Sequence, residues 1–228
     1  MRSGNNMSKK DNYDELDVNL NPEDQFDEFE RDHVPTKKEI AEQDGYLLRR
    51  QQDFRLAADA IVIAFSRFPE VEAISLFGSV ALPLWKEIPR FRDYRRNRIE
   101  VWHECGDVDL AVWLSALDNL RELGRARSRA MNDLLETTGI GVAHHQVEVL
   151  ILEPGTDRYL GWLCYFAQCP KPHKFECLVP GCGSSPFLRQ FQNFRPYKTA
   201  LSKSVPLFDR RRDGLVQRAA LLPLSGIE

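Results

Sequence analysis

CGDVDLAVWL, residues 105–114, is an apolar stretch that opens with two aspartates. Val108, Leu110, Ala111, Val112, Trp113 and Leu114 read as a β-strand buried on both faces. Strand side chains alternate with a period of two, so Asp107 and Asp109 project from one face, roughly 7 Å apart along the chain. Two like charges that close, beside a core, are costly unless something neutralises them. Either water reaches them at the strand end or a cation does.

The flanking sequence supplies the rest of a domain. VEAISLFGS (71–79) reads as a strand running into a Gly-Ser turn, and HQVEVLILE (145–153) as a third strand ended by Pro154-Gly155. Helical spacing over residues 36–67 puts Ile40, Tyr46, Leu47, Phe54, Leu56, Ala57, Ile61 and Ala64 on one stripe. Thr36 suits the N-cap, Gly45 suggests a break, and Pro69 ends the helix. Residues 115–138 form a second amphipathic helix, with Ser115 or Asp118 near its start and Gly139 at its stop. The order helix, strand, insert, strand, helix, strand predicts an α/β (α+β) domain with a small mixed sheet flanked by helices.

Two features converge on the aspartates. Gly78 and Ser79 follow an apolar strand, and such a turn offers backbone N–H groups to an anion. Glu148 breaks the third apolar strand with a single carboxylate. A pair of acids on one strand and a third on a neighbour make a site for a divalent metal, and hard carboxylate oxygens suit Mg²⁺. Two such ions can hold the attacking and leaving oxygens of an in-line phosphoryl displacement.

Gly78-Ser79, Asp107-Val108-Asp109 and Glu148 between Val147 and Val149 resemble the signature of the nucleotidyltransferase superfamily that includes DNA polymerase β. The resemblance spans residues 55–153. It implies that Gly78 and Ser79 hold a nucleoside triphosphate and that Asp107 and Asp109 bind metal. Glu148 would complete the metal site or activate the acceptor. It further implies transfer of a nucleoside monophosphate from NTP to a hydroxyl or phosphate on a small molecule, protein or RNA. The spacing departs from compact members, because 27 residues lie between Ser79 and Asp107.

That insert, residues 80–106, holds Arg90, Arg92, Arg95, Arg96 and Arg98 with Phe91 and Tyr94. Charge interleaved with aromatic surface suits phosphate contacts and base stacking, and Arg95 and Arg96 are candidate nucleotide-binding residues. His103 and Cys105, just before Asp107, could add a ligand or an acid–base group, as could His144 and His145 ahead of Glu148.

The chain's outer parts differ in character. Net charge is -3 over 228 residues, yet residues 1–32 hold ten Asp/Glu against four Lys/Arg. Residues 1–35 therefore read as a disordered acidic tail ahead of a nucleotidyltransferase-like domain at 36–160. Residues 161–195 read as an irregular Cys-rich module in which Cys169, His173, Cys177 and Cys182 could hold a structural Zn²⁺, with Cys164 an alternative ligand. FLRQFQNF (187–194) has the pattern of a short amphipathic helix, and 196–228 reads as a loosely structured tail. Five cysteines, an odd number, argue against a disulfide framework. No stretch has the length of a membrane span and the N-terminus lacks the apolar centre of a secretory signal, which predicts a cytoplasmic protein. A second reading of the same residues is a catalytically inactive binding or regulatory protein on that fold, with a structural zinc module.

Overall fold

The computed structural model describes residues 33–165, 169, 185–191, 194, 201–212 and 214–225. The elements all lie in the unit Pro35–Glu228. Helix α1 spans Lys37–Phe65 and is opened by a capping box: Thr36 Oγ1 accepts from the Glu39 amide, and the Glu39 carboxylate accepts from the Thr36 amide at 2.7 Å. It runs through Gly45 without the expected break, since helical bonds on both sides outweigh one residue of weak propensity. Its buried stripe is Leu47, Phe54, Ala57, Ala58, Ile61, Val62 and Phe65. Tyr46, expected on that stripe, is exposed.

Three polar residues, Gln51, Arg55 and Asp59, share the buried stripe of α1, and each is tied to backbone. Gln51 Nε2 donates to the carbonyls of Ser79 and Leu82. Arg55 donates to the carbonyls of Val80, Leu82 and Leu222. Asp59 accepts from the amides of Ala219 and Ala220 and pairs with Arg218. Helix α1 thereby clamps two single 3-10 turns, Ser79–Ala81 and Ala219–Leu221, whose own bonds leave these polar groups unsatisfied.

Beyond α1 come strands β1 (Val71–Phe77), β2 (Lys86–Glu87), a short helix α2 (Arg92–Arg96), β3 (Val101–Trp102) and β4 (Val108–Leu114). Helix α3 (Leu120–Thr138), β5 (Val147–Leu152), β6 (Tyr159–Leu163), β7 (Leu188–Arg189), β8 (Val205–Asp209) and β9 (Gly214–Leu215) complete the set. Helix α3 begins later than expected, with Asn119 rather than Ser115 or Asp118 as its N-cap residue, and it stops at Gly139 as its sequence predicts.

Among the described residues a seven-stranded sheet has the order β7-β6-β5-β4-β1-β8-β9. Only β4 and β5 run parallel, joined through α3; the other neighbours are antiparallel. The architecture is mixed α+β. Helices α1 and α3 pack together over one face, where Val108, Leu110, Val112, Val149 and Ile151 form the main core. On the other face Ala111, Leu150 and Leu152 lie beneath Phe77, Trp113, Tyr159, Trp162, Phe194 and Leu201.

Two expectations give way here. The stretch read as a loose tail supplies β8, which pairs directly with β1, and its Leu207 is fully buried. The helix expected over 187–194 is absent where it can be described: Phe187 has φ 61 and Leu188–Arg189 pair with β6. Strands β2 and β3 form a separate ribbon, pinned to α1 because Lys86 and the Trp102 amide both meet the Asp44 carboxylate.

His173, Cys177 and Cys182, and the acidic residues 1–32, lie outside the described residues. Cys169 and Cys164 are free thiols. No helix among the described residues is long and apolar enough to cross a membrane.

Candidate metal centre

Alternation along β4 sends Val108, Leu110 and Val112 to the helical core and Asp109, Ala111 and Trp113 to the opposite face. Strand β5 does the same with Val149 and Ile151 against Glu148, Leu150 and Leu152. The parallel register makes Asp109 and Glu148 direct partners, and Asp107 precedes β4 on the same side. One ligand oxygen from each of Asp107, Asp109 and Glu148 can be chosen so that all lie within 4.8 Å of one another. Among the described residues this is the one group of three or more acidic, histidine or cysteine side chains so placed.

The Gly-Ser turn is adjacent. Phe77, the last residue of β1, pairs with Asp109, so Gly78 sits beside that carboxylate. A Cβ on Gly78 would come within 2.2 Å of Asp109 Oδ2, and Gly78 has φ 75. Glycine is required here both for backbone conformation and for the carboxylate's space. The carbonyls of the turn are occupied: Gly78 and Ser79 accept from the amides of Ala81 and Leu82, and Ser79, Val80 and Leu82 accept from Gln51 and Arg55. Cys105 is buried behind the turn, where Arg50 Nε donates to its carbonyl at 2.8 Å. Burial pushes the Cys105 thiol up, and Ser79 donating to the sulfur draws it back.

The three acids are electrostatically uncomfortable together. Burial, and then the charges of Asp107 and Glu148, push the Asp109 carboxyl up to about 7. Burial alone raises Asp107. Burial and Asp107 raise Glu148, while Arg189 and Arg127 pull it down. Among the described residues no hydrogen bond helps to hold any of the three in its charged form.

Comparisons with family models, with curated proteins and with solved structures returned no match.

The chemistry of the site is therefore read from its own residues. Three half-buried carboxylates with converging oxygens and, among the described residues, no hydrogen-bond donors form a hard, oxygen-only donor set that could hold a metal ion. Not every residue singled out in the sequence joins them. Arg95 and Arg96 are exposed on α2, whose Tyr94 feels the charges of Glu39 and Asp44 on α1. His103 stacks on Trp85 and bonds Glu87 at 2.9 Å within the ribbon. His144 and His145 are exposed and meet edge to face.

Arg127 and Arg189 are the basic groups whose charge reaches Glu148, and the sequence reading overlooked both. Arg127 is buried on α3, donates to the carbonyls of Val147 and Cys164, and is lowered to about 10 by burial. Its place between Leu123 and Ala130 on the apolar stripe was the available signal, because a cation on a buried helix face demands a partner. Arg189 carried no comparable signal; only the β6–β7 pairing brings it near.

Proposed function

We propose that this chain is a metal-dependent nucleotidyltransferase, moving a nucleoside monophosphate from an NTP to a hydroxyl or phosphate acceptor. The observation that carries the reading is the register of Asp109 against Glu148, with the Asp109 carboxylate packed into the space that Gly78 leaves by lacking a Cβ. Asp107, Asp109 and Glu148 would hold Mg²⁺, two ions in the full reaction, and bound Mg²⁺ neutralises charge on the phosphates as the transferred group moves.

The chain's own groups have distinct tasks. The Gly78–Ser79 backbone, its carbonyls already taken, turns amides toward the triphosphate. Glu148 would complete the metal site or accept the proton of an acceptor hydroxyl. The acceptor oxygen bonds to the α-phosphorus, the bond from that phosphorus to the β-phosphate breaks, and pyrophosphate leaves.

The test is thermal unfolding with Mg²⁺ and each of the four NTPs, for the wild type and for Asp109→Asn. A ligand that binds only the folded chain raises apparent stability by mass action. The expected result is an Mg²⁺-dependent upward shift with at least one NTP, lost in the variant. Equal curves with and without every NTP would overturn the reading.

A further inference from the structure

The sheet order gives the site two sides. The Gly78–Ser79 turn, at the end of β1, lies on one side of β4 and β5, and β6 and β7 lie on the other. In-line displacement requires the nucleophile to approach the phosphorus opposite the leaving group. With the triphosphate on the turn, the acceptor enters from the β6–β7 side.

That side is built from donors and rings. Trp162 pairs with Leu150 across β5–β6 and with Arg189 across β6–β7, so both share the face of Glu148. The Arg189 guanidinium lies 5.0 Å from the ring centroids of both Tyr165 and Phe191, which fix it in place. The Trp162 indole N–H is buried and, among the described residues, has no hydrogen-bond partner. A buried donor without a partner calls for one. Strand β7 reaches this position only because residue 161 is glycine: a Cβ there would come within 2.6 Å of Leu188 Cδ1 and 2.7 Å of the Arg189 carbonyl oxygen.

We infer that Trp162 and Arg189 form an acceptor subsite for a hydroxyl compound bearing a phosphate ester, either a free mononucleotide or the 3′ end of a polynucleotide. The inference rests on the proposed transfer reaction. A guanidinium and an indole N–H, both donors, complement phosphate oxygens, and the guanidinium offers them a planar fork. The half-buried rings of Tyr165, Phe191 and Phe194 beside them suit the face of a base.

The test measures binding of three probes to the full chain in Mg²⁺ without NTP, where no transfer can occur. The probes are fluorescein-labelled oligoadenylate by anisotropy, and AMP and adenosine by quenching of tryptophan fluorescence. Oligoadenylate or AMP should bind at least about tenfold more tightly than adenosine, the worth of a charge-assisted contact. Arg189→Met should erase that preference. Trp162→Phe, which keeps a ring and removes the N–H, should weaken the phosphorylated probe by about threefold or more. Both variants should retain the Mg²⁺–NTP thermal shift. Tight binding of oligoadenylate alone identifies a polynucleotide end, and of AMP alone a mononucleotide. Equal affinity for AMP, oligoadenylate and adenosine, no binding of any probe, or unchanged affinities in folded Arg189→Met would overturn the subsite. A wild type with the Mg²⁺–NTP shift but no probe binding loses this inference and keeps the transfer reaction. The opposite pattern loses the reaction.

Discussion

Two regions of this molecule bury ionisable groups, and they do so in opposite ways. On α1, Arg55 and Asp59 are each met by three hydrogen-bonding partners, mostly backbone groups. At the ends of β4 and β5, Asp107, Asp109 and Glu148 repel one another, with the charges of Arg189 and Arg127 reaching only Glu148 and no hydrogen-bond donor among the described residues. The first arrangement closes on itself and holds two single 3-10 turns in place. The second is incomplete as folded, and its deficit is positive charge. Buried polarity that is satisfied supports structure; buried like charge that is left unsatisfied marks a place where a cation adds stability.

The contrast can be broken at either end. The largest effect belongs to α1: Arg55→Ala leaves the Val80 and Leu222 carbonyls without a donor, Leu82 keeping Gln51, and should destabilise the chain by about 4 kcal/mol in urea unfolding. A loss below about 1 kcal/mol would mean that Arg55 is not the clamp described.

Asp109→Asn should act in the opposite direction. In the metal-free protein near pH 8 it removes the least comfortable charge and should stabilise the fold by on the order of 3 kcal/mol. The sign follows from proton counting. Burial and its neighbours raise the Asp109 carboxyl from 3.8 to about 7. Between those values the folded chain holds a proton that the unfolded chain has lost, so wild-type stability falls as pH rises and levels off above about 7. Denaturant midpoints from pH 4 to 8 should show this decline in the wild type, a smaller one in Asp109→Asn, where burial still raises Asp107 and Glu148, and a flat profile in the wild type when Mg²⁺ is present. A decline of the same size in both proteins would place its origin elsewhere.

Gly78→Ala sharpens the comparison, because it forces a methyl group toward Asp109 from a left-handed backbone position. A cost of about 2 kcal/mol is expected from the conformation and the displaced carboxylate, together with loss of the Mg²⁺-dependent shift. Retention of that shift at full size would separate the turn from the metal centre. The smallest effect is a control. Thr36→Ala removes the α1 capping box far along the helix and should cost about 1 kcal/mol while leaving the Mg²⁺ response intact.

The centre of the sheet was legible in the sequence because alternation, apolar flanks and lone acids agree there. Asp107, Asp109 and Glu148 each interrupt an otherwise apolar run, and period-two geometry carries that pattern directly to one face. The edges were not legible, for identifiable reasons. Strand β8 contains Pro206, which cannot donate to a ladder; it is accommodated opposite Ser75, where the β1–β8 register shifts. The segment before β7 turns at Phe187 in a left-handed conformation that few non-glycine residues adopt, and its aromatic spacing imitates a helix. The buried polar face of α1 depends on partners up to 167 residues away in sequence, which no local pattern contains. Arg189 likewise gains its place from the β6–β7 pairing.

The most direct measurement is the protonation midpoint of the Asp109 side chain, followed by carboxyl ¹³C NMR with assignment by Asp109→Asn, without metal and again with saturating Mg²⁺. The account predicts a midpoint near 7 without metal and a fall of more than two pH units when Mg²⁺ binds, because a cation favours the charged form. An ordinary carboxylate midpoint without metal, or one that Mg²⁺ leaves unmoved, would contradict it, and the three acids would be solvated ends of two buried strands.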